Sequence, residues 1–444
     1  MVSRPNKKIP IMKKLFLLLL LTLLSFSNYN YAQPLYFPPI SSTATWETTD
    51  PATLEWCPER INNLYTFLEQ ENTKGFIILK DGKIVLEQYF GTFTSQSLWY
   101  WASAGKTITS FLVGKAQEEN LLNINDRTSI YLGAGWTNCT LAQENNITIK
   151  NQLTMTSGLD DGVIDNDCTD PNCLEYKADA GTRWAYHNAP YTLLDDVLQS
   201  ATTVNLNTYT QLKLKNPTGM TGGWTTIDFN NVYFSTVRSM ARFGLLIHGN
   251  GAWNGNQLIN PNYFSEMVNT SQNLNKSYGY LWWLNGKPNY MLPTTQLIFP
   301  GSYAPNAPTD MIAGLGRDGQ IVSISQSSGL VFVRMGEAPS STSSVPTIFC
   351  NQIWQKINEL DCTLEINNQE LNKIAIGPNP ATNTISISNI ESEKYSVEIF
   401  DMIGNSILKV SNQSTIDISF LASGIYLVNV QQGNQRQTQK LIKR

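Results

Sequence analysis

The placement of strand patterns along residues 46–360 restricts the fold more than any other feature of this chain. Asp81-Gly82 is a strong two-residue hairpin signal between the first two patterns. The patterns lie at 75–80, 83–89, 278–284, 311–314, 319–325 and 330–335. The middle, from about 124 to 249, reads as helical and loop-rich. We therefore expect an α+β fold, in which an antiparallel sheet flanked by helices meets an all-helical subdomain at a cleft.

Ser103 and Lys106 lie three residues apart at the predicted start of a helix. Ile108, Phe111 and Leu112 follow at helical spacing and predict a face that packs on the core. Residues i and i+3 share a helix face, so the lysine amine would lie one turn from the serine hydroxyl. A neutral amine there can accept the serine proton, and the helix N-terminus favours the developing negative charge. A Ser-x-x-Lys sequence is common by chance, so this interpretation needs support from other parts of the chain.

A second group of chemically useful side chains follows at Tyr186 and Asn188. A phenol can act as a general acid or base when a neighbouring cation lowers its pKa, and Lys106 is a candidate for that cation. The Asn188 amide could hold the lysine or a substrate carbonyl. The alternative is that Tyr186 is an ordinary buried tyrosine with a satisfied hydroxyl.

Taken together, these motifs resemble the serine beta-lactamase and penicillin-binding superfamily. The chain is most similar to the branch of class C beta-lactamases, esterases and 6-aminohexanoate-dimer hydrolases. Segments 152–159, 278–283 and 314–320 carry the same likeness, which covers about residues 46–360. The resemblance implies a serine beta-lactamase-like fold with a small-molecule or peptide ester or amide as substrate.

The same resemblance implies roles for individual residues. Ser103 would be the acylated nucleophile, and Lys106 and Tyr186 would share its proton and pass it to the leaving group. Which of the two is the primary base stays open. The oxyanion hole would combine the Ser103 backbone N–H with one from residues 314–317.

Gly314-Leu315-Gly316 departs from the family pattern. Many relatives carry Lys-Thr-Gly or His-Thr-Gly there, which offers a cation and a hydroxyl to a substrate carboxylate. Leu315 has no hydroxyl, and Arg317 is the candidate replacement for the charge. We therefore expect an exported serine hydrolase that cleaves an ester or amide. A beta-lactamase or D,D-peptidase, and a non-catalytic penicillin-binding-like binding protein, are the alternatives.

Three aromatic residues, Tyr100, Trp101 and Trp184, flank the candidate catalytic residues. They are predicted either to form a wall for an acyl group or to pack in the core. The two histidines favour neither a metal site nor a histidine base: His248 is expected to cap a helix end, and His187 to support the cleft wall. No cofactor or metal is expected.

Residues 1–32 have the pattern of a signal peptide. Five basic residues precede or flank the apolar run 15–24, and cleavage is expected after Ala32. The alternative is a membrane anchor, although the run is short for a bilayer span. Removal of the segment lowers the formal net charge from −4 to −9, which argues against a nucleic-acid or anionic-membrane partner. No other segment is apolar enough to cross a membrane.

Export permits disulfides, and the chain has six cysteines. Cys168 and Cys173 flank a turn-forming stretch and could close one loop, while Cys350 and Cys362 could close another. Six cysteines allow fifteen pairings, and the sequence does not choose among them.

The composition changes near the end of the chain. Residues 374–444 contain no Cys, Trp or His and show short alternating strands, which predicts a small β-sandwich. Residues 361–373 would be a linker, and 33–45 a lead-in to the first domain.

The segment resembles the type A sorting domain of the type IX secretion system, through Gly377-Pro378-Asn379-Pro380 and the basic terminus 440–444. That implies secretion machinery as a partner and a secreted or cell-surface protein. A carbohydrate-binding or spacer sandwich is the alternative.

Overall fold

The computed structural model forms two compact units, Met1–Cys362 and Thr363–Arg444. The predicted signal peptide, part of the lead-in and nearly all of the linker lie outside the residues that the structure describes. Those residues are 35–41, 45–341, 344–362, 374–390, 394–402, 404–432 and 435–444.

A six-stranded antiparallel sheet forms the centre of the first unit, in the order β2-β1-β13-β12-β11-β8. The strands of this unit are β1 Thr73–Lys80, β2 Lys83–Tyr89, β3 Trp99–Tyr100, β4 Gly223–Ile227, β5 Asn230–Ser235, β6 Ala252–Trp253, β7 Asn256–Gln257, β8 Trp283–Leu284, β9 Asn289–Tyr290, β10 Phe299–Pro300, β11 Ile312–Gly316, β12 Gln320–Ser325 and β13 Leu330–Gly336. The first strand pairs with the last, with Ile77 opposite Val333. The expected α+β architecture is therefore confirmed.

Helices cover the sheet and fill the middle of the unit. They are α1 Pro58–Gln70, α2 Lys106–Glu118, α3 Ser129–Leu132, α4 Leu141–Glu144, α5 Ile149–Leu153, α6 Asn188–Thr202, α7 Leu206–Thr210, α8 Asn216–Thr218, α9 Val237–His248, α10 Pro261–Met267 and α11 Thr347–Asn358. Short turns of 3-10 helix precede α1 and α2 and follow β11, and a π turn, Gln211–Lys215, joins α7 to α8.

Side chains of β13 alternate between two helical layers. Gly244 of α9 lies so close to Val331 that an added Cβ would be 2.6 Å from it. Phe332, on the opposite face, packs edge-on against Trp354 of α11, whose indole N–H donates to Ser323. Both faces of the sheet are therefore buried, which explains its almost continuous apolar sequence.

The hairpin signal at Asp81-Gly82 is correct. Both residues have positive φ, 48° and 90°, as a type I′ turn requires. The strand expected over 278–284 is reduced to Trp283–Leu284, because Leu281 adopts a left-handed conformation. A second hairpin, β4–β5, lies inside the region read as helical, and its turn places Asp228 at a φ of 51°.

One of the two candidate disulfides is present, and the other is not. Cys168 and Cys173 are bonded, but Cys362 pairs with Cys57, and Cys350 is a free, buried thiol. Cys350 points into the core from α11, while Cys362 lies beyond the helix, where Trp56 and Asp361 form a β-bridge. The bond joins the two ends of the first unit.

The second unit contains two antiparallel sheets around its own apolar core. One has the order β14-β15-β18 and the other β17-β16-β19-β20. Their strands are β14 Ala375–Gly377, β15 Thr384–Ser388, β16 Ser396–Phe400, β17 Ser406–Ser411, β18 Thr415–Asp417, β19 Gly424–Gln432 and β20 Gln435–Lys443. In the described part of the chain, no helix has the length and apolarity of a membrane span.

Candidate active site

Ser103 lies in a 3-10 turn, Ala102–Gly105, immediately before α2 begins at Lys106. Ala102 has a positive φ of 45°, a conformation that costs a residue with a Cβ about 1 kcal/mol. The turn therefore holds Ser103 away from the regular helix. Its side chain is partly exposed, whereas Ala104, Gly105 and Lys106 are buried.

The Lys106 amine donates to the Ser103 hydroxyl at 3.2 Å, as their spacing predicts. The lysine is almost fully buried, and its amine lies 4.0 Å from the centre of the Tyr191 ring. Burial lowers the pKa of Lys106 to about 7, an effect that Asp167 and Asp195 oppose and Arg317 reinforces. A sizeable fraction of the amine is therefore uncharged at neutral pH.

Tyr186 lies in the segment before α6 and is also close to the Lys106 amine. Its ring centre is 5.4 Å from that amine, and the ring stacks on Trp283 at 5.9 Å. Burial raises the pKa of the Tyr186 phenol, and a hydrogen bond with Ser103 offsets part of the rise. The structure thus brings an alcohol, an amine and a neutral phenol together.

A cleft of about 400 Å³ opens above Ser103 and Lys106. The β4–β5 hairpin forms one wall, which the sequence did not predict. The cleft is lined by Tyr100, Ala102, Ser103, Lys106, Asp167, Asn188, Tyr191, Ile227, Asp228, Asn230, Asn231, Val232, Phe234, Arg317 and Asp318. It carries carboxylates and amides as well as apolar surface, and is large enough for a small ester or amide.

Strand β11 passes directly against the Ser103 turn. A Cβ on Gly316 would lie 2.3 Å from the Trp101 carbonyl oxygen, and one on Gly314 would lie 3.1 Å from Thr107. Both positions therefore need glycine for close packing, and Leu315 between them is buried. None of the three lines the cleft. Arg317, just beyond the strand, is exposed and does line it.

The three flanking aromatics do not form one wall. Tyr100 lines the cleft and donates its hydroxyl to Asp318 at 2.6 Å. Trp101 is fully buried and donates to Ser235, and Trp184 is buried against Tyr186 and other rings. The substrate-contact interpretation of Trp101 and Trp184 is corrected to core packing, because neither reaches the cleft.

Asn188 begins α6 and lines the cleft, but its amide N–H donates to Asp167 at 2.7 Å, not to the lysine or an open site. Its side-chain oxygen is buried without a hydrogen-bond partner among the described residues. His187 is also buried, and burial lowers its pKa to about 4. His187 is therefore neutral at pH 7, and it does not line the cleft.

Sequence reasoning missed Tyr191, Asp195 and Asn231. Tyr191 covers the lysine amine, and Asp195 lies one turn further along α6. Asn231 enters from the hairpin and donates to the Asp195 carboxylate at 3.1 Å. The one available signal was the i, i+4 spacing of Tyr191 and Asp195 on a helix that starts at Asn188.

The six-stranded sheet of the first unit, with the Ser-x-x-Lys turn packed on β11, defines a beta-lactamase-like protein. Residues 68–335 match the Beta-lactamase family, which is more than half of the chain, and the chain belongs to that family. Residues 375–444 match the secretion system C-terminal sorting domain, which indicates secretion and cell-surface export. A search of the curated proteins found no match.

Solved structures support the same fold at low identity. A Bacillus anthracis protein described as a 6-aminohexanoate-dimer hydrolase is 17% identical with a TM-score of 0.55, covering 76% of this chain and 92% of its own. A family VIII carboxylesterase is 12% identical with a TM-score of 0.53, covering 71% and 99%. A Bacteroides dorei protein described as a beta-lactamase is 16% identical with a TM-score of 0.53, covering 69% and 99%. At these identities the likenesses show the fold alone, and the family match is what supports a hydrolase.

Proposed function

We propose that this protein is an exported serine hydrolase, which cleaves an ester or small amide through an acyl-enzyme on Ser103. The observation that carries the proposal is the contact of a partly exposed hydroxyl with a buried amine, at the floor of an open cleft. A buried lysine with a pKa of about 7 has the basicity that proton removal near neutral pH requires.

Acylation uses the groups in contact. The Ser103 proton moves to neutral Lys106 as the hydroxyl oxygen attacks the substrate carbonyl carbon. The resulting oxyanion accepts hydrogen bonds from the Ser103 backbone N–H and from the backbone at residue 317, which β11 holds beside the Ser103 turn. Lys106 rather than Tyr186 is the base in this scheme, since burial keeps the phenol protonated.

Departure of the leaving group requires a proton. Tyr186 is not among the residues that line the cleft, but its ring centre lies 5.4 Å from the Lys106 amine, so its neutral phenol is assigned the relay of the lysine proton to the leaving alcohol or amine. A water molecule then attacks the acyl carbon, and Lys106 accepts its proton. The proton returns to Ser103 as the acid product leaves, which restores the starting state.

The cleft favours neutral acyl esters or amides over carboxylate-bearing substrates. The buried Leu315 offers no hydroxyl, and three carboxylates, Asp167, Asp228 and Asp318, line the cleft. Arg317 supports the alternative of a beta-lactamase or D,D-peptidase, because it is exposed there and forms no ion pair with any described residue. An exposed arginine among three acids holds a carboxylate poorly.

The activity test combines three reagents with two variants. Purified protein is expected to hydrolyse a short-chain nitrophenyl ester and to react with a fluorophosphonate, with little turnover of nitrocefin. Ser103→Ala should lose at least about 1,000-fold in ester kcat/KM. Ser110→Ala is the matched control, since this buried hydroxyl on α2 has no partner among the described residues.

Each other result identifies an alternative. Nitrocefin turnover as fast as ester turnover would indicate a beta-lactamase. A folded protein that binds these reagents without turnover or labelling would be a binding protein. Activity that survives in Ser103→Ala would remove Ser103 from the mechanism.

We further infer the processing steps of export. The signal-peptide pattern supports cleavage after Ala32, and the sorting-domain match supports removal of the tail after about residue 372. Intact-mass measurement of secreted protein should therefore find neither segment. A complete C-terminus on secreted material would contradict removal of the tail.

A further inference from the structure

Asp195 is a fully buried carboxyl group that the mechanism above does not use. It lies in the middle of α6, one turn after Tyr191, whose ring covers the Lys106 amine. A carboxyl buried without a partner is costly, so its surroundings show how it is stabilised.

Two side chains from different elements donate to this carboxylate. Thr109 of α2, one turn after Lys106, donates at 3.2 Å, and Asn231 of β5 donates at 3.1 Å. Asn231 also lines the cleft, and its neighbour Asn230 accepts a hydrogen bond from Thr192 on α6. Asp195, on α6, therefore links that helix to α2 and to the β4–β5 wall of the cleft.

Several titratable groups from different elements surround this centre. Asp195 forms no ion pair with Lys106, yet each influences the pKa of the other. Burial raises the pKa of Asp195 to about 7, and its two donors and Lys106 oppose that rise. The other titratable groups that act on Lys106, Asp195 or Tyr191 are Asp167, Tyr186, Asp196 and Arg317.

We propose that Asp195 is a positioning residue of this site, which supplies from behind Tyr191 the negative charge that balances Lys106. When Lys106 takes the serine proton, a buried cation forms, and the ionised form of the Asp195 carboxyl, which is held by Thr109 and Asn231, lowers the free energy of that state. Asp167 has the same sign and the larger effect on the pKa of Lys106, but it lines the open cleft, where salt screens it, whereas Asp195 is buried. This inference rests on the proposed function.

The test is the pH dependence of ester kcat/KM in Asp195→Asn, which keeps the side-chain shape and removes the charge. The substitution removes the negative charge and also a carboxyl that titrates in the same pH range as Lys106, so the acid limb of the profile should move to lower pH by roughly half a unit. The shift should persist at high salt, because both groups are buried. Asp196→Asn is the matched control: this exposed neighbour raises the pKa of Asp195, so its loss should leave the limb in place or move it slightly to higher pH, the direction opposite to Asp195→Asn.

A second variant covers the case in which Asp195→Asn does not fold. Thr109→Val removes one donor to the carboxylate, favours its neutral form, and should move the limb in the same direction by less. An unchanged limb in folded Asp195→Asn, or in Thr109→Val where the first variant does not fold, would overturn the inference. If Ser103→Ala keeps its activity, the proposed function fails instead, so the two failures are distinguishable.

Discussion

Local spacing at the residue scale predicted one contact of the site and not the others. The Ser103–Lys106 contact follows from i, i+3 geometry and needs no knowledge of the rest of the fold. Tyr186 was placed by family resemblance. Asp195 and Asn231 were not predicted, because a helix residue and a hairpin residue 36 positions apart meet only through tertiary packing.

The low pKa of Lys106 leads to a prediction about pH. If the neutral amine is the base, ester kcat/KM should rise through an inflection near pH 7, and at pH 5 should be about 100-fold below its plateau. The direction follows because protonation below the pKa removes the base. The profile should be measured with an uncharged ester, and a rate that is flat or falls between pH 5 and 8 would contradict the role of Lys106.

Gly316→Ala should reduce activity strongly, because its Cβ would meet the Trp101 carbonyl oxygen at 2.3 Å and push β11 away from Ser103. We expect a loss of about 100-fold in kcat/KM, the typical cost of an oxyanion donor. Gly105→Ala provides the contrast, since its Cβ would have only ordinary contacts at 3.6 Å and its φ is helical. Equal effects of the two substitutions would exclude close packing as the cause.

At the scale of elements, alternation and turn signals identified the central strands, and the β4–β5 hairpin was missed. Its strands are short and its turn, beginning at Asp228, carries no Asn-Gly or Asp-Gly pair. The strand expected over 278–284 is an error in the other direction, since a strand was predicted where little of one forms. The aromatic run is buried in the core, but only Trp283–Leu284 pairs as a strand. Apolar runs show burial but do not by themselves show which backbone satisfies the hydrogen bonds.

The hairpin should determine substrate size. Ile227 is 46% exposed and lines the cleft, so Ile227→Ala should change substrate contacts without disturbing the core. We expect KM to rise about threefold to tenfold for long acyl esters and to stay nearly constant for acetyl esters. Ile130→Ala is the control, as it is also exposed, at 56%, and does not line the cleft. A uniform effect on all chain lengths would contradict the assignment.

At the scale of the whole molecule, the structure divides after Cys362 into two units with separate cores, and the composition of the sequence changes at the same place. The disulfide between Cys57 and Cys362 was not predicted, because sequence alone cannot show that the two ends of the first unit meet. Its partners lie 305 residues apart, against five for Cys168 and Cys173.

That difference in loop length predicts a difference in stability. Replacing Cys57 and Cys362 by serine should lower the free energy of unfolding by about 3 kcal/mol more than the same change at Cys168 and Cys173. The longer loop removes more conformational freedom from the unfolded chain. Denaturant titration of the two double variants measures this, and equal losses would show that loop closure does not govern the effect.

The central claim is that Ser103 forms a covalent bond with the substrate acyl group, and mapping an adduct tests it most directly. Protein treated with a fluorophosphonate or a slow ester should gain one adduct, and peptide mass spectrometry should place it on Ser103. Labelling should disappear in Ser103→Ala and persist in Ser110→Ala. An adduct on any other residue, or one that forms equally in Ser103→Ala, would contradict the account.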